Sequence, residues 1–397
     1  MSCVHIIGAG LAGLAAAIEL SGTDRRICLY EATSQAGGRC RSYHDPVLNR
    51  EIDNGNHLIL KANHHTRDYI QRIGSTAQFH TPQTHYPFID IKYGYQWELK
   101  RPFYLPRLPL IDYIHLLRIG LMGGCVGNYA SPYDNLHRRF LAPLCTSILN
   151  TPPEQASAML FARTLRQIIA EKGGAEPLLP LHTLHASLIA PALKRLLDQG
   201  CDIYYQQSLK HITLTDNRAT ELHFSRNVIP LGADDIVILA IPAHGIEKLL
   251  PAIPVPQTYH AIVNGHFITD HNQPNGSFIG AVGGALDWVF FKDGLISTTT
   301  SAANALADID QDITATMLWH DVCRITGVRK PLPPYRIVTE KRATYAATPE
   351  NLKRRPTTQT DYNNVLLAGD YVRNGLPATI EGAIKSGMKA ACTVYAI

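Results

Sequence analysis

The sequence predicts an α/β fold, a parallel-sheet domain interleaved with an α+β domain, and three observations lead to it. The apolar run Val4-His5-Ile6-Ile7 passes straight into Gly8-Ala9-Gly10-Leu11-Ala12-Gly13. Ile236-Val237-Ile238-Leu239-Ala240-Ile241, before Pro242, is apolar without a break, the pattern of a strand covered on both faces. Val365-Leu366-Leu367 then delivers Gly369-Asp370 near the other end of the chain.

The first of these is the most informative. The opening run reads as a buried strand, and the helix after the glycines carries apolar residues at Leu11, Leu14, Ala15 and Ile18, the i, i+3, i+4, i+7 spacing. A second strand, Ile27-Cys28-Leu29-Tyr30, ends on Glu31. Gly8 permits the tight turn, Gly10 lets a pyrophosphate approach the backbone, and Gly13 lets helix and strand pack closely. Leu11 and Ala12 open the helix, whose free N–H groups face the phosphates. Glu31 is placed to accept hydrogen bonds from an adenosine ribose, with Ala32 beside it.

Gly37-Gly38-Arg39-Cys40-Arg41-Ser42 lies where a nicotinamide enzyme would carry an ordinary crossover helix. Two glycines with Arg39 and Arg41 suit a second approach to a pyrophosphate, with guanidinium charge held against it. The pair of motifs resembles the N-terminus of FAD enzymes of the amine oxidase and phytoene desaturase superfamily. FAD is therefore the expected cofactor. Asp370 would contact its ribityl or pyrophosphate region. Thr379-Ile380-Glu381 starts the last helix, whose N–H groups would face the flavin edge that gains negative charge on reduction. Leu209, Ile212 and Pro242 complete the expected cofactor contacts.

Composition excludes several classes. A chain of 397 residues, 45% hydrophobic and 18% charged, can hold two domains with sizeable cores. A formal charge of +4 is too small and scattered for a nucleic-acid partner. The eight cysteines show no zinc spacing, no metal is expected, and their place in apolar runs favours a reducing compartment. No run reaches the ~18 to 20 apolar residues of a spanning helix. With a nucleotide-binding strand at the N-terminus there is no room for a signal peptide, so the expected location is cytoplasmic, with peripheral contact on the inner face of the membrane.

Between the motifs the chain changes character. Asp53-Asn54-Gly55-Asn56-His57 bends close to the cofactor. Asp53 reads either as a turn carboxylate bonded to backbone N–H groups or as a catalytic group, and His57 either as a structural histidine or as a catalytic one. A helix is expected over 66–73. Residues 79–115 alternate prolines with aromatics and read as short antiparallel strands. An apolar helix is expected over 109–122, either buried in the core or else lining a lipid tunnel or dipping into a membrane interface. Further helices are expected from a Thr151 cap through Ile168, and over 302–325.

The resemblance narrows on particular stretches. Asp53-Asn54-Gly55-Asn56-His57-Leu58, Pro143-Leu144-Cys145 with Asn150-Thr151-Pro152-Pro153, and Glu340-Lys341-Arg342-Ala343-Thr344 resemble the bacterial hydroxysqualene dehydroxylases, also described as squalene-associated FAD-dependent desaturases of hopanoid synthesis. The resemblance covers essentially the whole chain. Family members commonly carry Gln where this chain has Asn56. It implies a Rossmann-like FAD-binding domain over 1–60, 200–245 and 345–397, and an interleaved α+β substrate domain over 61–199 and 246–344. It implies reductive removal of a hydroxyl from a long apolar isoprenoid, drawing on an external electron donor. His57, Tyr345 and Asp53 are the candidate proton donors. Related chemistries on the same cofactor site are isoprenoid desaturation and amine oxidation, and the fold also serves non-enzymatic isoprenoid carriers.

Overall fold

The computed structural model describes residues 2–100, 118–119, 123–131, 133–292 and 294–396. The apolar helix expected over 109–122 falls largely outside them, as do Pro102, Phe103, Tyr104 and Pro106.

The centre of the molecule is β1 (Cys3–Ile7), every residue of it buried. α1 (Leu11–Leu20) follows, then β2 (Arg26–Tyr30). β3 (Asp202–Tyr204), β4 (Ile236–Leu239) and β5 (Val365–Leu367) complete a five-stranded sheet in the order β3-β2-β1-β4-β5, parallel throughout. Its strands come from widely separated parts of the chain. β1, β2 and β4 are apolar on both faces because both faces are covered. Val4 and Ile6 join the cluster of α1 and α2 (Ile380–Val394), while Cys3 and Ile7 join one that includes Phe224 and Leu222. The two chain ends meet where a Cβ on Gly387 would lie 2.1 Å from the carbonyl oxygen of Ala12, so only glycine lets α1 and α2 approach this closely.

A seven-stranded sheet forms the outer part. Its order is 335–345, 259–268, 295–300, 288–292, 278–282, 86–90, 96–99, antiparallel except between 278–282 and 86–90. The strand Tyr335–Tyr345 ends with Tyr345 against the cavity described below.

Two expected helices start later than the sequence suggests. The helix placed from Thr151 begins at Ala158, capped by Ser157, whose hydroxyl accepts from Leu160 N. The Thr151 hydroxyl is taken instead by Leu149 O and Ala347 N, a tertiary contact that local spacing cannot show. The helix placed over 302–325 runs Gln311–Thr326 because Asp310 accepts from Asp312 N and Ile313 N, fixing the start there.

Candidate active site and cofactor groove

One cavity of about 1060 Å³ lies at the carboxyl ends of β1, β2 and β4, where ligands of parallel sheets bind. The glycines at its mouth do three different things. Gly8 has φ +107 and would press a Cβ to 2.6 Å from Ala240 O. A Cβ on Gly13 would sit 1.9 Å from Gly8 O, so this residue is a packing glycine and lies outside the cavity lining, a correction to its place among the cofactor contacts. On Gly10 nothing stands within 4 Å of the Cβ position, which leaves a cradle open to the cavity at the start of α1.

The surrounding charges fit a dinucleotide. Gly37 N donates to Ala9 O, which docks the second glycine loop on the first. Arg41 is exposed, lines the cavity and forms no ion pair among the described residues, so its charge is free for a pyrophosphate. Arg39 pairs with Asp370 at 2.8 Å and so does not offer its full charge to phosphate, as the sequence reading had supposed. Glu31 is buried; one oxygen accepts from Ala9 N and the other from Thr33 N and Oγ1. Oε2, with the single donor Ala9 N, keeps a second acceptor site for a ribose hydroxyl. Leu11, Ala12, Ala32, Gly37, Gly38, Leu209, Pro242, Gly369, Thr379 and Ile380 also line the cavity. Ile212 does not. It is buried farther along its strand, paired with Leu222 in the hydrophobic core.

Several candidate carboxylates turn out to be structural. Asp53 is 2% exposed and outside the cavity lining. Its Oδ1 accepts from Ser42 Oγ (2.7 Å) and Leu184 N (2.8 Å), and its Oδ2 from Lys292 Nζ (2.8 Å). Burial alone would raise its carboxyl, but Lys292 and these donors hold it below the usual range. Asp53 therefore braces the bend, and catalysis is the wrong reading of it. Glu381 lines the cavity, yet its carboxylate accepts from His65 N and Nδ1 and from Thr66 N and Oγ1, capping the helix His64–Arg72.

His57 lies in the lining, and its imidazole has no side-chain hydrogen bond among the described residues. Burial, assisted by Arg39 and Lys292, pushes it down to about 4 despite the opposing charge of Asp53. At neutral pH it is an uncharged ring and not a standing acid. Gly55 and Asn54 support the same bend; Asn54 N donates to Arg41 O and its carbonyl accepts from Asn264 Nδ2. Asn56 Nδ2 donates to Thr299 Oγ1, while its Oδ1 is buried on the cavity wall without a partner.

Two phenols are more conspicuous. Tyr345 and Tyr371 are each 2% exposed, line the cavity, and have hydroxyl oxygens with no hydrogen-bond partner. Burial raises both. Asp370 adds to the rise at both, and at Tyr345 the Arg355 guanidinium, 5.3 Å from the ring centroid, opposes it. Arg355 is itself buried and bonded to the carbonyls of Asp370, Tyr371, Val372 and Leu376, with no carboxylate partner among the described residues. Sequence reading missed Tyr371 and Arg355. Tyr371 adjoins the Gly369-Asp370 motif, a usable signal; Arg355 carries none.

Beyond the phenols, Phe140, Leu144, Ile148, Leu165, Trp288 and Phe290 give the cavity an apolar stretch of wall. A glycine-lined groove on a parallel sheet, opening into an apolar chamber, defines a flavin-containing amine oxidoreductase. The model of that family matches residues 126–395, and an NAD(P)-binding Rossmann-like model matches 6–73. The chain belongs to the hydroxysqualene dehydroxylase family within this class. The hydroxysqualene dehydroxylase of Zymomonas mobilis is 38% identical over 98% of both chains. That of Sinorhizobium fredii is 38% identical over 98% of this chain and 97% of its own. Cyclohexylamine oxidase from Brevibacterium oxydans superposes with a TM-score of 0.75 over 99% of this chain and 98% of its own, at 15% identity, a likeness of fold alone. The cofactor is FAD, and the Gly10 cradle and the unpaired Arg41 fit it.

Proposed function

We propose that this chain removes the hydroxyl of hydroxysqualene reductively to give squalene, with 1–60, 200–245 and 345–397 holding FAD and 61–199 and 246–344 shaping the isoprenoid chamber. The observation that carries this reading is the continuity of groove and chamber in one cavity, where Asn56 Oδ1, Tyr345 Oη and Tyr371 Oη, all neutral, are buried without partners. A neutral alcohol on a long hydrocarbon suits such a wall. FAD, reduced by an external donor, supplies the hydride when bound.

What the chain contributes is a proton, orientation and exclusion of water. The carbon–oxygen bond breaks, the oxygen takes one proton and leaves as water, and the allylic carbon accepts the hydride. Departing hydroxide, the conjugate base of an acid near ~15.7, is a stronger base than a phenolate. Tyr345 is therefore the proton donor, because Arg355 stabilises the phenolate that it leaves behind. Tyr371 lacks that help and has Asp370 beside it, which suits orientation of the hydroxyl. His57 and Asn56 also line the cavity and offer it further acceptors. The apolar wall keeps water from the cation that forms as oxygen departs.

The direct test is anaerobic incubation of dithionite-reduced holoenzyme with hydroxysqualene. Squalene should form in proportion to the flavin oxidised, and recovery of unchanged hydroxysqualene would sink the assignment. Peripheral contact with a membrane belongs to the same proposal, since the substrate is a hydrocarbon; among the described residues no helix is long and apolar enough to cross one. Co-sedimentation with anionic vesicles measures it.

A further inference from the structure

At the end of β1 away from the glycine loop lies a second group of reactive side chains. Cys3 and His5 are two apart on β1 and share a face, and Cys28 stands opposite His5 in the register of β2. The two sulfurs and an imidazole nitrogen all lie within 4.8 Å of one another, with the sulfurs 3.4 Å apart. All three residues are buried, and none lines the FAD cavity. His5 Nδ1 is 3.1 Å from Tyr30 Oη, which leaves Nε2 as the inward atom. That nitrogen is buried without a hydrogen-bond partner and faces Asp235 Oδ2 at 3.7 Å.

We propose that Cys3, His5 and Cys28, with Asp235 as fourth ligand, bind a thiophilic d10 cation of the zinc(II) class. Two sulfurs, one imidazole and one carboxylate form a donor set for tetrahedral zinc. Bond lengths of about 2.3 Å to sulfur and 2.0–2.1 Å to nitrogen place ligand atoms roughly 3.3–3.8 Å apart. The two sulfurs, 3.4 Å apart, and His5 Nε2 with Asp235 Oδ2, 3.7 Å apart, match these spacings. Tyr30 fixes the ring orientation through Nδ1, the usual service of an outer partner to a metal-bound histidine. Asp202, also near Cys28 at 3.8 Å, is paired with Arg26 at 2.8 Å, whereas Asp235, which accepts from Cys3 N and Gly232 N, keeps Oδ2 3.7 Å from His5 Nε2. Binding would release the two thiol protons and tie β1, β2 and the start of β4 together.

The test uses untagged, FAD-loaded protein, freed of metal by a chelator and reduced anaerobically. It is equilibrated with one equivalent of zinc, desalted, and its zinc counted per chain. The expected result is one zinc per chain, with Cys3 and Cys28 alkylated more slowly than without zinc and exposed Cys392 unaffected. Cys28→Ser and His5→Asn should each lose the retained zinc while keeping the flavin spectrum, which reports that they are folded. If either variant fails to fold, the wild-type zinc count and alkylation pattern decide alone. Absence of retained zinc, full retention by a folded Cys28→Ser, or isolation of a Cys3–Cys28 disulfide that excludes zinc would overturn the proposal.

Discussion

The cofactor groove and the phenol-bearing wall belong to one cavity, and the carboxylates of the first and the phenols of the second are in opposite condition. In the groove, Glu31 is held by Ala9 and Thr33, Glu381 by His65 and Thr66, and Asp370 by Arg39. On the wall, Tyr345 Oη, Tyr371 Oη and Asn56 Oδ1 are buried without partners. A buried polar group left unpaired costs about 1–3 kcal/mol, so a wall that keeps three of them is arranged around what enters the cavity. The carboxylates of the groove are committed to the fold; the phenols of the wall are still free to act.

The contrast breaks most sharply at the glycines. Gly13→Val drives a side chain into Gly8 O and should cost more than about 3 kcal/mol, leaving little folded protein in a thermal melt. Gly10→Val meets nothing and should fold, but its side chain takes the pyrophosphate's space and the purified protein should be colourless. Full flavin occupancy in folded Gly10→Val would remove the groove assignment.

Next in size is the wall. Tyr345→Phe should retain FAD and stability yet react ~10²–10⁴-fold more slowly with hydroxysqualene in a single turnover of reduced enzyme. His57→Ala should turn over near normally in the flavin-bound fraction. If the two variants exchange behaviours, the neutral histidine is the acid after all and Tyr345 is only packing.

Acid should act through two histidines, one on the cavity wall and one buried in the seven-stranded sheet. His57 and His266 both stand near 4 in the folded protein, against 6.5 ordinarily, and for each the first cause is burial. The unfolded chain therefore binds more protons between those values, so stability is complete above about pH 6.5 and is lost as pH falls towards 4. For His266, wholly buried, the full effect is on the order of 3 kcal/mol. Urea midpoints at pH 7 and 5 measure it, and His266→Gln should flatten the slope.

The smallest expected effect returns to the groove. Glu31→Ala should weaken FAD binding by about 1.5–3 kcal/mol while leaving turnover of the loaded enzyme intact. An unchanged FAD dissociation constant would place the ribose elsewhere.

The strand, glycine loop and helix at residues 4–20, the acid at Glu31 and the strand before Gly369-Asp370 were legible in the sequence. Periodicity and glycine placement are local, and backbone sterics permit few alternatives. The same holds for the buried run at 236–241, whose unbroken apolar character requires cover on both faces. Other features depended on residues far apart in the chain. Whether Asp53 is a catalyst or a brace was decided by Lys292 and Leu184, and where the helix after Thr151 begins was decided by Ala347. The proximity of Arg355 to Tyr345, and of Cys28 to Cys3 and His5, likewise exists only in the folded molecule. A side chain's chemistry is written in its residue type, but whether its lone pairs and protons are free is settled by long-range packing, and only the tertiary structure supplies that.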